Sequence, residues 1–339
     1  MKVSQFLFFL LFFQGIQEAF AQPNWAAVHS KIEANRKQWE DEFSLTLAST
    51  DSVLLQKQGK TFSAKSQVEI GDISQWLTVA LLLKLEEEGK LSLEDPVSKY
   101  IPSFEKYFKG YITLKQCLTL MTGIEDKSGL KGNNRNKFTS LEEEVSQIAT
   151  RTIVSKPGTA GCYGDVGIKI AGRVAEIATK KKFDILIRSK VLIPLGMRRT
   201  SFSNLNGGPI DPASGALSTA EDLTRFLQMI LNNGKIGSII FLNEESINKM
   251  LTSQLSPDKI TNQPKSTQEY SYAMGAWCEL KNKVAIFHSS NFTGGWVSVN
   301  QCTNRTFVLL TKEKVNDEKG NIPKELLSLI DLQLNSSCR

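Results

Sequence analysis

One long apolar segment constrains the fold of this chain more than any other feature. It covers residues 71–96, GDISQWLTVALLLKLEEEGKLSLEDP, and its part Trp76–Leu85 has apolar residues on nearly every side of a helix. Such a helix belongs inside a large core rather than on a surface. Asp72 precedes the apolar run, where aspartate is a favoured N-cap, and it shares one face of the first turn with Gln75. We therefore expect a buried helix that Asp72 caps.

The N-terminal residues have the features of a signal peptide. Lys2 precedes the apolar run Phe6–Phe13, which is too short to cross a bilayer, and Ala19-Phe20-Ala21 is a small-x-small cleavage pattern. We predict a signal peptide at residues 1–21 and a secreted or periplasmic protein. An uncleaved anchor is less well supported because polar residues follow the run. No other segment approaches membrane-spanning length, so we expect no integral membrane segment after cleavage.

Charge and cysteine content exclude some kinds of partner. The net charge is +6, but basic residues alternate with acidic ones, and the run Lys180–Lys182 is typical of a solvated helix end. We therefore expect no nucleic-acid partner. Five cysteines in an exported chain permit disulfides, with Cys278 and Cys302 as the favoured pair. Neither they nor the two histidines have the spacing of zinc ligands, and we expect no metal and no cofactor.

Strand patterns lie near both ends of the chain and helical patterns lie between them. Phe43–Ser49 and Ser52–Gln58 form a predicted hairpin, and four further β-rich runs lie within Tyr272–Thr311. Helices are predicted at residues 25–42, 112–121, 141–149, 167–179, 218–232 and 322–334, besides the central one. We expect a mixed α/β fold of the α+β type, with an antiparallel sheet built from both chain ends and flanked by helices. Its sheet lobe would comprise about residues 22–71 and 265–339, and its mainly helical inserted lobe about residues 72–264.

Five motifs occur in a characteristic order. They are GKLSLEDPVSKYIP (89–102), ITLKQCLTLMTGIED (112–126), KPGTAGCYGD (156–165), IPLGMRRTSF (193–202) and PASGALSTAEDLTRFLQMILNNGK (212–235). Together they resemble the serine β-lactamase and penicillin-binding-protein superfamily, in particular its branch of class C β-lactamases and D-alanyl-D-alanine carboxypeptidases. The resemblance extends from about Phe43 to Thr311. It implies a β-lactamase/transpeptidase-like fold with a cleft at the start of the central helix.

The catalytic motifs that the resemblance implies are altered in this chain. The family has Ser-x-x-Lys at the start of the central helix, Tyr-x-Asn on a loop and Lys- or His-x-Gly on a strand. The first spacing places the lysine amine beside the serine hydroxyl, whose proton must leave as the nucleophile attacks. The matching positions here are Asp72 and Gln75, Tyr163 and Asp165, and His288 and Ser290. The nucleophile and the base are therefore both replaced.

The remaining candidates each have a functional and a structural interpretation. Asp72 is either an unusual nucleophile or an N-cap, and we favour the cap because a helix N-terminus stabilises the charged, poorly nucleophilic carboxylate. Ser74 has no lysine three residues on, which argues against a shifted nucleophile. Tyr163, Asp165, His288 and Ser290 are candidate ligand-binding residues. Tyr163 would hydrogen-bond a ligand or act as a general base, or else only pack. His288 would bind a carboxylate when protonated, or else form structural hydrogen bonds.

We expect an exported, monomeric protein that binds a peptidoglycan-derived peptide or another small molecule without hydrolysing it. Two alternatives remain open. One is an active hydrolase of the esterase, β-lactamase or peptidase type that uses Asp72 or a rearranged group. The other is a structural or interaction module with a closed cleft. The arrangement of the motif positions separates these alternatives, since an open pocket favours binding and a filled one favours a structural role.

Overall fold

The computed structural model describes residues 23–126, 138–204, 208–281, 284–291, 295–312 and 321–334. For residues 280–294 it describes only the backbone, within the strands. The predicted signal peptide lies outside the described residues. Within them, no helix is long and apolar enough to cross a bilayer.

Helices dominate the middle of the chain and strands its two ends. The helices are α1 (Ala26–Asn35), α2 (Ser74–Glu87), α3 (Ser103–Lys106), α4 (Leu114–Leu118), α5 (Leu141–Ala149), α6 (Val166–Thr179), α7 (Phe183–Ile187), α8 (Ala220–Leu231), α9 (Glu244–Leu251) and α10 (Asn321–Gln333). The strands are β1 (Phe43–Ala48), β2 (Val53–Gln58), β3 (Val68–Glu69), β4 (Gly161–Cys162), β5 (Ser201–Phe202), β6 (Ala216–Ser218), β7 (Lys235–Ile236), β8 (Ile239–Ile240), β9 (Ile260–Thr261), β10 (Ser271–Tyr272), β11 (Trp277–Lys281), β12 (Val284–Asn291), β13 (Gly295–Asn300) and β14 (Arg305–Thr311).

The main sheet has seven antiparallel strands in the order β10-β11-β12-β13-β14-β1-β2. The N-terminal hairpin joins the C-terminal strands through β1 and β14, where Phe43 lies opposite Thr311. Every residue of these two strands is buried. Helix α8 packs against both strands, while apolar residues of α1 and α10 join those of β1 in a second core. This arrangement confirms the predicted sheet built from both chain ends and flanked by helices.

Helix α2 lies at the centre of the larger core, and Trp76 and Leu77 are fully buried in it. The helix packs against α6 and α7, as its nearly continuous apolar surface requires. The prediction that Asp72 caps this helix is wrong. Asp72 lies inside a preceding 3₁₀ turn, Gly71–Ile73, and no side chain caps either the turn or α2. The chain is already helical through this turn, so the carboxylate is left to bond elsewhere.

The predicted disulfide between Cys278 and Cys302 is also wrong. Cys278 is a free, buried thiol on β11, whereas Cys302 is disulfide-bonded and follows β13. Strand β12 lies between β11 and β13. Two strand spacings are about 9.5 Å, which exceeds the roughly 7 Å that a disulfide can bridge between Cα atoms.

Candidate functional site

Three chain segments bring the motif positions towards one another. Asp72 lies in the Gly71–Ile73 turn, and Tyr163 and Asp165 lie between β4 and α6. Strand β12 runs beside the Gly71–Ile73 turn and carries His288 and Ser290. His288 pairs with Trp277 on one side and with Ser298 on the other. The side chains of His288 and Ser290 lie outside the described residues, so their proposed ligand contacts remain predictions.

The Tyr163 hydroxyl donates a hydrogen bond to Asp72 Oδ2. Both side chains are half-buried. Burial raises the pKa of Asp72 from its ordinary value of 3.8 to about 7; the hydrogen bond from Tyr163 opposes this, and Asp165 and Asp211 add to it. The expectation that Asp72 is a stable anion is therefore wrong, because desolvation outweighs the effect of the nearby helix start. Asp72 exchanges its proton near neutral pH.

Tyr163 remains a protonated phenol. Its burial raises its pKa well above the ordinary value, and the neighbouring Asp72 raises it further. The ring centroid of Tyr163 lies 5.0 Å from that of Trp277, and Trp277 lies 5.0 Å from Tyr272 in an edge-to-face arrangement. These aromatic contacts hold the Tyr163 ring while its hydroxyl faces Asp72.

Gln75 occupies the position where the resemblance implies the catalytic lysine. Its side chain is buried, and its Oε1 accepts a hydrogen bond of 3.0 Å from the Tyr272 hydroxyl. The turn after β10 packs closely here, since a Cβ on Gly275 would lie 3.3 Å from the Gln75 backbone oxygen and 2.9 Å from a Val79 methyl. An amide satisfies this enclosed site without leaving a buried charge.

Ser74 is not available as a nucleophile. The side chain is fully buried, and its Oγ accepts a hydrogen bond of 3.1 Å from the backbone N–H of Ala216. The hydroxyl therefore ties the start of α2 to β6. This placement agrees with the sequence-based argument against a shifted nucleophile.

Asp165, two residues after Tyr163, belongs to an ionic cluster around Lys169. Lys169 Nζ lies 2.7 Å from Asp165 Oδ2, 3.2 Å from Glu144 Oε1 and 3.8 Å from Asp211 Oδ2. Lys169, Glu144 and Asp211 are buried. Burial raises the pKa of Asp165 above its ordinary value. Lys169 opposes this rise, and Asp211 adds to it. This cation compensates part of the negative charge next to the Asp72–Tyr163 pair.

Several of these residues were missed by sequence reasoning. Lys169 follows Asp165 by one helical turn, an ion-pair spacing that was readable from the sequence. Tyr272 is 197 residues from Gln75, and no local pattern connects the two. No group of three or more histidine, cysteine, aspartate or glutamate residues in the described part of the chain is arranged to hold a metal ion.

Comparison with known proteins identifies the family. A family model for β-lactamases matches residues 44–330. The chain belongs to the β-lactamase family. It resembles a solved structure of a protein from Bacteroides dorei that is proposed to be a β-lactamase, with 25% identity, a TM-score of 0.83 and coverage of 92% of this chain and 99% of that one. It also resembles the D-alanine carboxypeptidase AmpC of Burkholderia cenocepacia, with 19% identity, a TM-score of 0.68 and coverage of 89% and 97%.

The curated relatives that this chain matches are longer proteins, of which the match covers only a part. Protein flp of Staphylococcus aureus is 29% identical over 174 residues, which cover 46% of this chain and 35% of that protein. β-Lactamase-like protein 4 of Dictyostelium discoideum is 23% identical over 261 residues, covering 63% of this chain and 45% of that protein. The matches thus span about a third to a half of these relatives.

Within this β-lactamase-family fold, the described site contains a carboxyl and a phenol that share a hydrogen bond, beside a buried amide. The Asp72–Tyr163 pair can accept a hydrogen bond from a ligand or take up a proton near neutral pH. Gln75 can neither accept a hydrogen bond from a ligand nor take up a proton from it, since its side chain is buried and bonded to Tyr272.

Proposed function

We propose that this β-lactamase-family protein binds a peptidoglycan-derived peptide or a related small ligand without hydrolysing it. One observation carries the proposal. Asp72, at the position of the family nucleophile, is engaged by Tyr163, while Gln75, at the position of the base, is enclosed and bonded to Tyr272. Acyl transfer of the family type needs a hydroxyl and an amine at these two positions.

A carboxylate is a poor substitute for the serine. Attack of Asp72 on an ester or amide would form a mixed anhydride, which is less stable than the substrate bond that it replaces. Gln75 cannot accept the proton that a serine hydroxyl would release, because an amide is not basic at neutral pH. Both changes therefore oppose the acyl-enzyme route.

Ligand binding has separate support. Asp72, Tyr163 and Asp165 are half-buried rather than enclosed, so part of this surface remains in contact with solvent. The carboxyl oxygens of Asp72 suit amide N–H or ammonium donors, which peptides supply. Structural neighbours include D-alanine carboxypeptidases of Burkholderia cenocepacia and Yersinia pestis, which is consistent with a peptide ligand for this chain.

Export is part of the proposal. The N-terminal pattern of a charged residue, an apolar run and a small-x-small site is typical of a signal peptide. The disulfide at Cys302 supports the same compartment, because such bonds persist in oxidising surroundings. The expectation of a monomer remains a prediction; one structural neighbour, from Pyrococcus abyssi, is octameric.

One observation favours a second candidate, an active hydrolase with an unusual mechanism. A carboxyl whose pKa is about 7 is suited to general acid–base catalysis. In that case Asp72 would accept a proton from a water molecule that attacks the substrate directly, with no acyl-enzyme. This candidate predicts turnover of a chromogenic ester or β-lactam that disappears in D72A.

Binding is tested by calorimetry with a synthetic peptide that ends in D-alanyl-D-alanine. We expect the wild type to bind it and D72A to bind it at least tenfold more weakly. S203A, which alters a hydroxyl away from the motif positions, serves as the matched control and should bind normally. Absence of binding to this peptide and to soluble peptidoglycan fragments would contradict the proposal and favour the interaction module.

A further inference from the structure

The Asp72 carboxyl offers one of its two oxygens to a ligand. Its Oδ2 accepts the hydrogen bond from the Tyr163 hydroxyl, whereas its Oδ1 accepts none within the described part of the chain. Oδ1 keeps contact with solvent, since it is not among the fully buried polar atoms that lack a partner, and Asp72 as a whole is half-buried. A carboxyl oxygen in this position can still accept hydrogen bonds.

The Tyr163 hydroxyl adds a second acceptor beside Oδ1. Its single hydrogen is used on Asp72, so only the lone pairs of the oxygen are available to a third group. Burial and the neighbouring Asp72 raise the pKa of Tyr163 well above its ordinary value, and the phenol therefore stays neutral. Two hydrogen-bond acceptors thus lie next to each other with no hydrogen left to donate. A ligand group that fits here must be a donor with more than one hydrogen.

The charges that act on Asp72 are negative. Asp165 and Asp211 both raise its pKa, as like charges do. Lys169 belongs to the adjoining cluster, but it is buried, and its Nζ lies 2.7 Å from Asp165 and 3.2 Å from Glu144. That cation is committed to its own carboxylates. Among the described side chains, none that is positively charged is bonded to Asp72.

The first turn of α2 does not supply the missing charge. Gln75 follows Asp72 by one helical turn, and its buried amide is uncharged. The helix start contributes only a partial positive charge, roughly half an elementary charge. Burial and the acidic neighbours outweigh it, because the pKa of Asp72 is raised rather than lowered. The ionised form of Asp72 would therefore gain from a cation that a ligand brings.

We infer that the ligand carries a primary ammonium group, which pairs with Asp72 Oδ1 and the Tyr163 oxygen. This inference rests on the proposed ligand-binding function and narrows its ligand to an amine-bearing peptide. An ammonium has three donors and no acceptor, so it matches two adjacent acceptors and also supplies the charge. A neutral amide N–H would leave the ionised carboxylate uncompensated. A guanidinium would lose its usual contact with both carboxyl oxygens, because Tyr163 already occupies Oδ2.

The test is calorimetry of the full chain at pH 8, where Asp72 is ionised because its pKa is about 7. The probes are Nα-acetyl-L-lysyl-D-alanyl-D-alanine and its analogue with norleucine in place of lysine, which keeps the side-chain stem without the ammonium. We expect the wild type to bind the lysine peptide about tenfold or more tightly than the norleucine peptide, because hydrogen bonds to charged groups are the stronger ones. D72N should bind the two peptides alike.

The matched control is D184N. Asp184 is an exposed carboxylate on α7, outside the motif positions, so this variant makes the same change of charge without altering the site. It should keep the wild-type preference for the lysine peptide. Equal binding of the two peptides by the wild type, or a preference that survives in D72N, would overturn the inference and leave the proposed function standing. Absence of binding to both peptides would overturn the proposed function, and this inference with it.

Discussion

The hydroxyl of Tyr163 donates a hydrogen bond to the carboxyl of Asp72, a residue 91 positions earlier in the chain. The β-lactamase family resemblance implies the serine of Ser-x-x-Lys at the position of Asp72 and the tyrosine of Tyr-x-Asn at the position of Tyr163. Here the nucleophile position bears an acid with a pKa of about 7, and the phenol bonded to it stays protonated. The hydrogen bond therefore joins two of the positions that the family resemblance singles out.

The raised pKa of Asp72 predicts a pH-dependent stability. The folded protein holds the proton more tightly than the unfolded chain, since the pKa rises from 3.8 to about 7 on folding. This contribution is full below about pH 4, is lost as the pH rises to 7, and stays lost above it. D72N removes the titration, so its unfolding free energy relative to wild type should rise by about 1–2 kcal/mol between pH 4 and 8. Urea unfolding across this range measures the difference, and a constant difference would refute it.

Removing the Tyr163 hydroxyl should change the titration of Asp72 in a defined direction. The hydrogen bond from Tyr163 lowers the pKa of Asp72, so Y163F should move the Asp72 midpoint above its wild-type value. Carboxyl NMR of a sample with labelled aspartate measures this midpoint. Y100F removes a similar hydrogen bond, of 2.6 Å, to Asp95, and should leave Asp72 unchanged. A lower midpoint in Y163F would contradict this assignment.

The buried pair of Gln75 and Tyr272 should be energetically coupled. Y272F leaves the Gln75 amide oxygen without its 3.0 Å donor in a buried site, which costs about 1–3 kcal/mol. Q75L should restore part of that loss when added to Y272F, because no polar group is then left unpaired. Urea unfolding of both single variants and the double variant forms the cycle. Strictly additive losses would show that the hydrogen bond contributes no coupling.

Lys169 should be important for stability. K169M leaves the carboxylates of Glu144, Asp165 and Asp211 without this buried cation, and we expect a loss of about 3–5 kcal/mol at pH 7. Part of the loss should be recovered at acid pH, because the raised pKa of Asp165 lets that carboxylate take up a proton. K190M breaks the half-exposed pair with Glu88 and should cost no more than about 1 kcal/mol. Equal losses in the two variants would argue against the cluster.

Much of the fold was readable from the sequence because periodic patterns determine it. The alternation around residues 50 and 51 predicted the β1–β2 hairpin, and the apolar run predicted the buried α2. Helix α5 was predicted with its observed ends, Leu141 and Ala149, since acidic residues begin it and its apolar residues share one face. These features depend on residues that are close together in the chain.

The site was less predictable because its contacts are long-range. The sequence placed Asp72 and Tyr163 near one cleft through the family resemblance, but it did not indicate which partner the Asp72 carboxylate would choose. A local argument favoured the helix N-terminus, whereas burial and Tyr163 decide the outcome. The ionic partners of Lys169 include Glu144 and Asp211, which come from separate segments. Such a cluster has no local sequence signature.

Covalent labelling shows whether the wild type can form an acyl-enzyme. The wild type is incubated with a fluorescent penicillin or a fluorophosphonate and examined by intact-protein mass spectrometry, and D72S/Q75K is examined in parallel with each single variant. We expect no adduct and no turnover for the wild type, and slow acylation only when serine and lysine are both restored. A stoichiometric adduct on the wild type, or turnover that D72A abolishes, would contradict it.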